Sequence, residues 1–178
     1  MRWPRVVYEW GSTVAERERA FPCDGLLEEP VEALFRAIGV RAPPSVVFGW
    51  LCQLRAAPYS YDWIDNRGRR SPRTLTPGLQ QLEVGQRVMR IFRLTGFEQG
   101  RSITLLSGGG TLGRVACSYV IDPAPAGSRL LVKLLLDRSQ RAGPLSAPLR
   151  VLLPPGDLLM MRRQLLNLKR LAEAEAPS

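Results

Sequence analysis

At 178 residues, with 45% hydrophobic and 23% charged positions, the chain suits one folded domain with a sizeable core. It contains no histidine, which removes Ser-His-Asp and Cys-His nucleophilic catalysis and imidazole proton transfer. Its three widely spaced cysteines, Cys23, Cys52 and Cys117, fit neither a disulfide framework nor a zinc site. The net charge of +9 invites a nucleic-acid reading, but 23 of the 25 basic residues are arginine beside abundant Ala, Gly, Leu and Pro, a bias that a GC-rich genome imposes on surface positions.

Residues 1–30 lack clean periodicity and read as an arm. They hold four arginines against six acids, a net of −2, while residues 31–178 carry +11, so an acidic arm can lie against a basic body. No apolar run of signal-peptide length occurs there, and the chain is expected to stay in the cytoplasm. Ala33–Arg41 reads as a strand, stopped by Pro43 and Pro44. Pro44 suits the first turn of a helix, in which Val47, Trp50, Leu51 and Leu54 recur at i, i+3, i+4 and i+7. That helix should end near Arg55, before Ala57-Pro58.

Tyr59–Gln86 is polar, aromatic and rich in turns, punctuated by Gly68, Pro72, Pro77 and Gly78. Strands are then expected at Arg87–Thr95, Ser102–Leu106, Val115–Ile121 and Arg129–Leu136, joined by short turns as an antiparallel meander. The run Leu130–Leu136, interrupted by Lys133, is the nearest approach to a membrane span and falls far short of the roughly 18 apolar residues one needs. A proline-rich connector, Gly143–Pro155, leads to a helix over Leu158–Glu173, with Asp157 as its N-cap. Its apolar stripe is Leu158, Met161, Leu165, Leu168 and Ala172.

In this order of elements the chain resembles the SRPBCC, or START-like, superfamily, which includes the birch pollen allergen type, START lipid-transfer domains and polyketide cyclases. Three stretches carry the resemblance. FRAIGVRAPPSVVFGWLCQLR (Phe35–Arg55) looks like the opening strand and first helix. APYSYDWIDNRGRRSP (Ala57–Pro72) and GDLLMMRRQLLNLKRLAE (Gly156–Glu173) look like signatures of a bacterial subgroup. The resemblance implies an α+β helix-grip fold: a curved antiparallel β-sheet wrapped around a long C-terminal helix, enclosing a cavity. It covers residues 31–174, leaving 1–30 as the arm and 175–178 as a tail. The family has seven strands and a second short helix; only five strands are legible, so the missing pieces are expected within Tyr59–Gln86.

Gly108–Gly113 satisfies G-x-G-x-x-G, but strand alternation follows it instead of the helix that a dinucleotide site requires, so it reads as a hairpin loop. Arg67, Arg69, Arg70 and Arg73 form the densest basic cluster and read as a solvated loop, though they could meet an anionic headgroup. Arg162, Arg163, Lys169 and Arg170 read as the wet side of the last helix. Tyr59, Tyr61, Asp62, Trp63, Asp65 and Asn66 place phenols, an indole and carboxylates within a few residues, and are expected to border the cavity. Tyr119, Lys133 and Gln164 are polar groups within apolar stretches and need partners.

The leading expectation is binding or carriage of a hydrophobic small molecule, polycyclic or acyl, without metal or nucleotide cofactor. Trp50, Tyr119, Met161 and Leu165 would supply apolar walls, with Tyr59 and Trp63 beside them. Tyr61, Asp62, Lys133 and Gln164 would supply polar anchors. The alternative is a cofactor-free cyclase or dehydratase, with Tyr61 or Asp62 as acid or base and Lys133 or Arg93 stabilising an enolate. A nucleic-acid or protein-interaction module using the basic face is the third class.

Overall fold

A computed structural model of the chain describes residues 3–66, 68–109, 113–138 and 147–176. The strands are β1 (Val31–Val40), β2 (Arg87–Val88), β3 (Phe92–Glu98), β4 (Ser102–Ser107), β5 (Val115–Ala124) and β6 (Gly127–Asp137). All pair antiparallel in one sheet ordered β1-β6-β5-β4-β3-β2, so the first strand closes against the last. The register sets Leu34, Leu134, Cys117, Leu105 and Leu94 in one row across five strands. This row faces the C-terminal helix. An extra residue, Thr95, lies between the pairs Leu94–Leu105 and Gly96–Thr104, and such a bulge bends the sheet.

Helices α1 (Arg5–Glu9) and α2 (Val14–Glu18) precede the sheet, α3 (Pro44–Cys52) and α4 (Asp62–Asp65) follow β1, and α5 (Ala147–Glu175) ends the chain. Pro44 opens α3, as its fixed φ favours, and a 3-10 turn over Gln53–Arg55 completes it. Met161, Leu165, Leu168 and Ala172 bury one side of α5 against the concave face of the sheet and against α3.

Three features differ from the sequence reading. Arg87–Thr95 is not one strand. Met89 and Arg90 adopt φ of 45° and 68°, and the Met89 N–H donates to the Leu54 carbonyl at 2.9 Å, turning the chain between β2 and β3. Tyr59–Gln86 contributes α4 but no strand among its described residues. Side chains instead pin it to the 3-10 turn: Gln53 exchanges hydrogen bonds with the backbone of Thr76, and Arg55 donates to the carbonyls of Leu79 and Gln81. Residues 110–112 of the glycine motif lie outside the described residues; β4 ends before the motif and β5 pairs back antiparallel after it, in keeping with the hairpin reading.

The third difference is in α5, which runs through Pro154 and Pro155 instead of starting after them. Each proline lacks the N–H that would satisfy the carbonyl four residues earlier, at Arg150 and Val151. Groups from elsewhere approach those carbonyls. The Arg138 guanidinium reaches the Arg150 carbonyl at 3.4 Å, and the Trp3 indole donates to the Val151 carbonyl at 2.9 Å. Asp157 is therefore an interior helix residue and not a cap. Its carboxylate accepts from Arg36 Nη2 at 2.7 Å, joining α5 to β1; Arg36 also donates to the Phe35 carbonyl at 2.8 Å.

The arm covers the convex face. Phe21, Cys23 and Leu27 pack on Ala37, Ala116, Val120, Leu131 and Leu135. The Ala37 N–H donates to the Trp10 carbonyl at 3.0 Å, and next to it Gly11 passes so close that a Cβ there would lie 2.1 Å from the Ala37 carbonyl. Acids of the arm meet bases of the sheet: Glu16 pairs with Arg129 at 2.7 Å and Asp24 with Lys133, while Arg19 reverses the sense and pairs with Asp122.

Two expectations follow from these ion pairs. Arg36 is fully buried, so Arg36→Met strands the Asp157 carboxylate and should cost about 3–5 kcal/mol, a fall in melting midpoint on the order of 10 °C. Removing both charges, in Arg36→Met/Asp157→Leu, should recover most of it. An unpaired carboxyl has its pKa raised on folding, so the single variant's deficit should grow as pH rises; a deficit independent of pH would contradict this. Glu16 behaves oppositely. The Arg129 guanidinium lowers its carboxyl from 4.5 to about 2, so its contribution is whole above 4.5 and lost as pH falls toward 2. Thermal melts across that window should show a smaller acid-induced loss for Glu16→Gln than for the wild type.

Candidate functional site

Between the concave face of the sheet and α5 lies a cavity of about 440 Å³. The sheet contributes Phe92, Cys117, Tyr119, Leu134 and Leu136, and the helix contributes Leu153, Met160 and Met161. Pro58 and Ser60 form a further wall, and Met89 of the β2–β3 turn forms another. Ile91 and Leu152 border the space while remaining exposed, which marks them as its mouth. The volume falls in the range of small-molecule pockets, and the lining is overwhelmingly apolar.

Besides Ser60, three side chains bring oxygen or nitrogen atoms to this space. The Tyr119 hydroxyl donates to Gln164 Oε1 at 2.6 Å, and Gln164 Nε2 donates to the Pro58 carbonyl at 2.6 Å. The same amide lies 3.1 Å from Met89 Sδ, so Gln164 holds β5, the 58–60 wall and the β2–β3 turn against α5. Asp157 is the third, tied to Arg36 behind the wall. Burial pushes its carboxyl above the usual range, and the adjacent guanidinium pulls the other way. Burial also drives the Tyr119 phenol and the Cys117 thiol well above their ordinary values. At neutral pH both are therefore protonated.

Of the residues singled out from sequence, Tyr119, Met161 and Gln164 line the cavity, and Leu165 is buried one helical turn beyond Met161. Trp50 and Tyr59 lie in the core, ring centroids 6.1 Å apart and edge to face. Tyr59 sits at φ 57°, a strained value for its side chain, held by Asn167 Nδ2 donating to its carbonyl at 2.8 Å. Tyr61, Asp62 and Trp63 line a separate groove of about 500 Å³ across the 58–60 wall, together with Arg70, Arg73, Arg163 and Arg170. Lys133 is on the convex face, over the rings of Phe21 and Phe35, and Arg93 is exposed on β3 with Nη1 donating to the Gly85 carbonyl at 3.1 Å. Arg67 of the basic cluster lies outside the described residues.

Sequence reasoning missed Arg36 and the true setting of Asp157. A signal existed: Arg36 shares strand parity with Leu34 and Ile38, and an arginine at an inward strand position requires a buried acid. Among the described residues, theirs is the one ion pair with a fully buried member.

No protein-family model matches the chain, and no curated protein sequence matches it. Solved structures match its fold. A protein from Mesorhizobium loti is 12% identical at a TM-score of 0.50, over 82% of this chain and 99% of that one. A protein from Chromobacterium violaceum is 14% identical at 0.50, over 82% and 98%. The di-domain ARO/CYC protein StfQ from the steffimycin biosynthetic pathway is 13% identical at 0.50, over 81% of this chain and 51% of its own. Together with a curved antiparallel sheet closed around a long last helix, these likenesses give the chain the helix-grip fold.

Proposed function

We propose that the chain binds a hydrophobic small molecule in the cavity between the sheet and α5, and holds it without transforming it. The observation that carries this reading is an apolar space of about 440 Å³ with an open mouth. Water in such a space lacks hydrogen-bond partners, and an apolar ligand displaces it favourably at about 25 cal/mol per Å² removed from solvent.

The disposition of polar groups supports holding over chemistry. A cyclase or dehydratase, the alternative that StfQ's ARO/CYC description brings to mind, needs an acid or base free to exchange a proton with its substrate. Here the Tyr119 hydroxyl is committed to Gln164, and Asp157 to Arg36. The groups first considered for that chemistry, Tyr61, Asp62, Lys133 and Arg93, do not line this cavity. Tyr119 and Gln164 act as a fixed polar mark on an apolar wall, able to orient a ligand oxygen.

The test uses N-phenyl-1-naphthylamine, an uncharged dye whose fluorescence rises in apolar surroundings. Gly156 borders the cavity within α5, and a Cβ there would meet nothing within 4 Å. Gly156→Trp should therefore fill the mouth, weakening dye binding at least about tenfold, while the melting midpoint holds or rises because glycine is a poor helix former. Leu134→Trp should block the inner wall similarly, at some cost in stability from overpacking. Undiminished dye affinity in both variants would move the binding site elsewhere. Dye binding that persists beside turnover of a polyketide-like substrate would favour the cyclase reading.

A further inference from the structure

The groove across the 58–60 wall gathers two basic clusters that are distant in sequence. Arg70 and Arg73 come from the loop after α4, and Arg163 and Arg170, two turns apart on α5, come from the opposite side. Among the described residues, none of these four guanidiniums has a carboxylate partner. The acid that does line the groove, Asp62, is engaged elsewhere: its carboxylate accepts from the Ser71 N–H at 2.9 Å and the Ser71 hydroxyl at 2.5 Å. Arg163 rests over the Tyr61 ring, 5.9 Å from its centroid, which aims the group without neutralising it. Four guanidiniums against the one carboxylate of Asp62 leave the opening strongly positive, and a bound anion relieves the repulsion among them. Guanidinium forks match the oxygens of a phosphate, each able to give two parallel hydrogen bonds.

This groove and the apolar cavity are neighbours. Ser60 lines both. On α5, Met160, Met161 and Gln164 border the cavity, while Arg163, Asn167 and Arg170 border the groove, so adjacent sides of one helix serve the two spaces. The wall between them is the short stretch that includes Tyr59, whose strained backbone is fixed by Asn167. Trp63, 75% exposed at the groove, adds a flat apolar surface beside the charges.

We propose that the ligand is an amphipathic phosphate: an apolar body held in the cavity, and a phosphate head held among Arg70, Arg73, Arg163 and Arg170 after passing over Ser60. The inference rests on the cavity reading above. The phosphate can belong to a lipid headgroup in a bilayer or to a soluble ester.

Displacement of N-phenyl-1-naphthylamine by dodecyl phosphate and by 1-dodecanol, on the full-length chain, tests the proposal. The two competitors share a tail and differ in the head. Dodecyl phosphate should displace the dye at a concentration at least about tenfold lower than dodecanol. Arg73→Gln/Arg163→Gln should remove most of that advantage while leaving dodecanol unchanged, and Arg70→Gln/Arg170→Gln should do the same from the other pair. Raising NaCl from about 50 to about 500 mM should shrink the advantage in the wild type alone, because screening acts on the phosphate contact. Equal displacement by the two competitors, with dye bound normally, overturns the headgroup site and leaves the cavity reading standing. Failure of the dye to bind the wild type overturns both. Co-sedimentation with vesicles of phosphatidylcholine and phosphatidic acid, lost in the arginine variants, assigns the phosphate to a lipid surface. Displacement by dodecyl phosphate without co-sedimentation assigns it to a soluble ester.

Discussion

The amide of Gln164 is where the separate parts of the fold meet. Through it α5 touches the Tyr119 hydroxyl on the sheet, the Pro58 carbonyl and the sulfur of Met89. A buried glutamine with one end unmet would cost about 1–3 kcal/mol, and here both ends are satisfied by three different elements. Those contacts set the distance from helix to sheet, and that distance leaves the cavity open instead of letting the apolar faces collapse. Withdrawing Tyr119 leaves Gln164 Oε1 without its donor, and withdrawing Gln164 strands the Tyr119 hydroxyl and the Pro58 carbonyl together, so the wall, the turn and the helix are fixed at one point.

The elements whose signal is local were legible. α3 begins at Pro44 because proline suits a first turn, and β4, β5 and β6 lie within a residue or a few of the positions that turn signals and strand residues mark. Tyr119 and Gln164 stand among apolar neighbours in the sequence, which marks them as polar groups in need of partners, and in the fold both line the cavity. Lys133 shows where that logic fails. β6 is buried on both sides, by α5 on one and by the arm on the other, so Leu131 and Leu135 look as core-like as Leu130, Val132 and Leu134. Without polar residues on one face there is no alternation to orient the strand. The arm that covers the convex side is about as apolar as the rest of the chain, but its apolar residues follow no helical or strand period, so nothing in it announces which of them are buried.

The unread features depend on partners that are remote in the chain. Proline pairs end most helices because the freed carbonyls have no donor. In α5 the donors are a guanidinium on the far end of β6 and an indole at the very start of the chain, which no local pattern connects to residues 150 and 151. Asp157 resembled a cap for the same reason: an acid after Pro-Gly is a common helix start, and only the fold places Arg36 opposite it. Likewise the two arginine clusters read as ordinary solvated surface when taken separately. Their meeting around one groove is a property of the folded chain.

The Pro154-Pro155-Gly156 run has a mechanical consequence. Three residues that weaken a helix follow one another where α5 passes the mouth of the cavity. Among the described residues, the helical turns before it are tied by Arg138 and Trp3 at the carbonyls of Arg150 and Val151 and by Leu153 against the core, while those after it are clamped by Gln164, Asp157 and the row Met161, Leu165, Leu168 and Ala172. The two halves of α5 therefore differ in the work needed to lift them from the sheet. Local opening starts at the half with fewer ties, and that half carries Leu152 and Leu153, which stand at the mouth. Hydrogen exchange along α5 would register this as a step in protection near residue 156, with a molecule entering or leaving through the looser side.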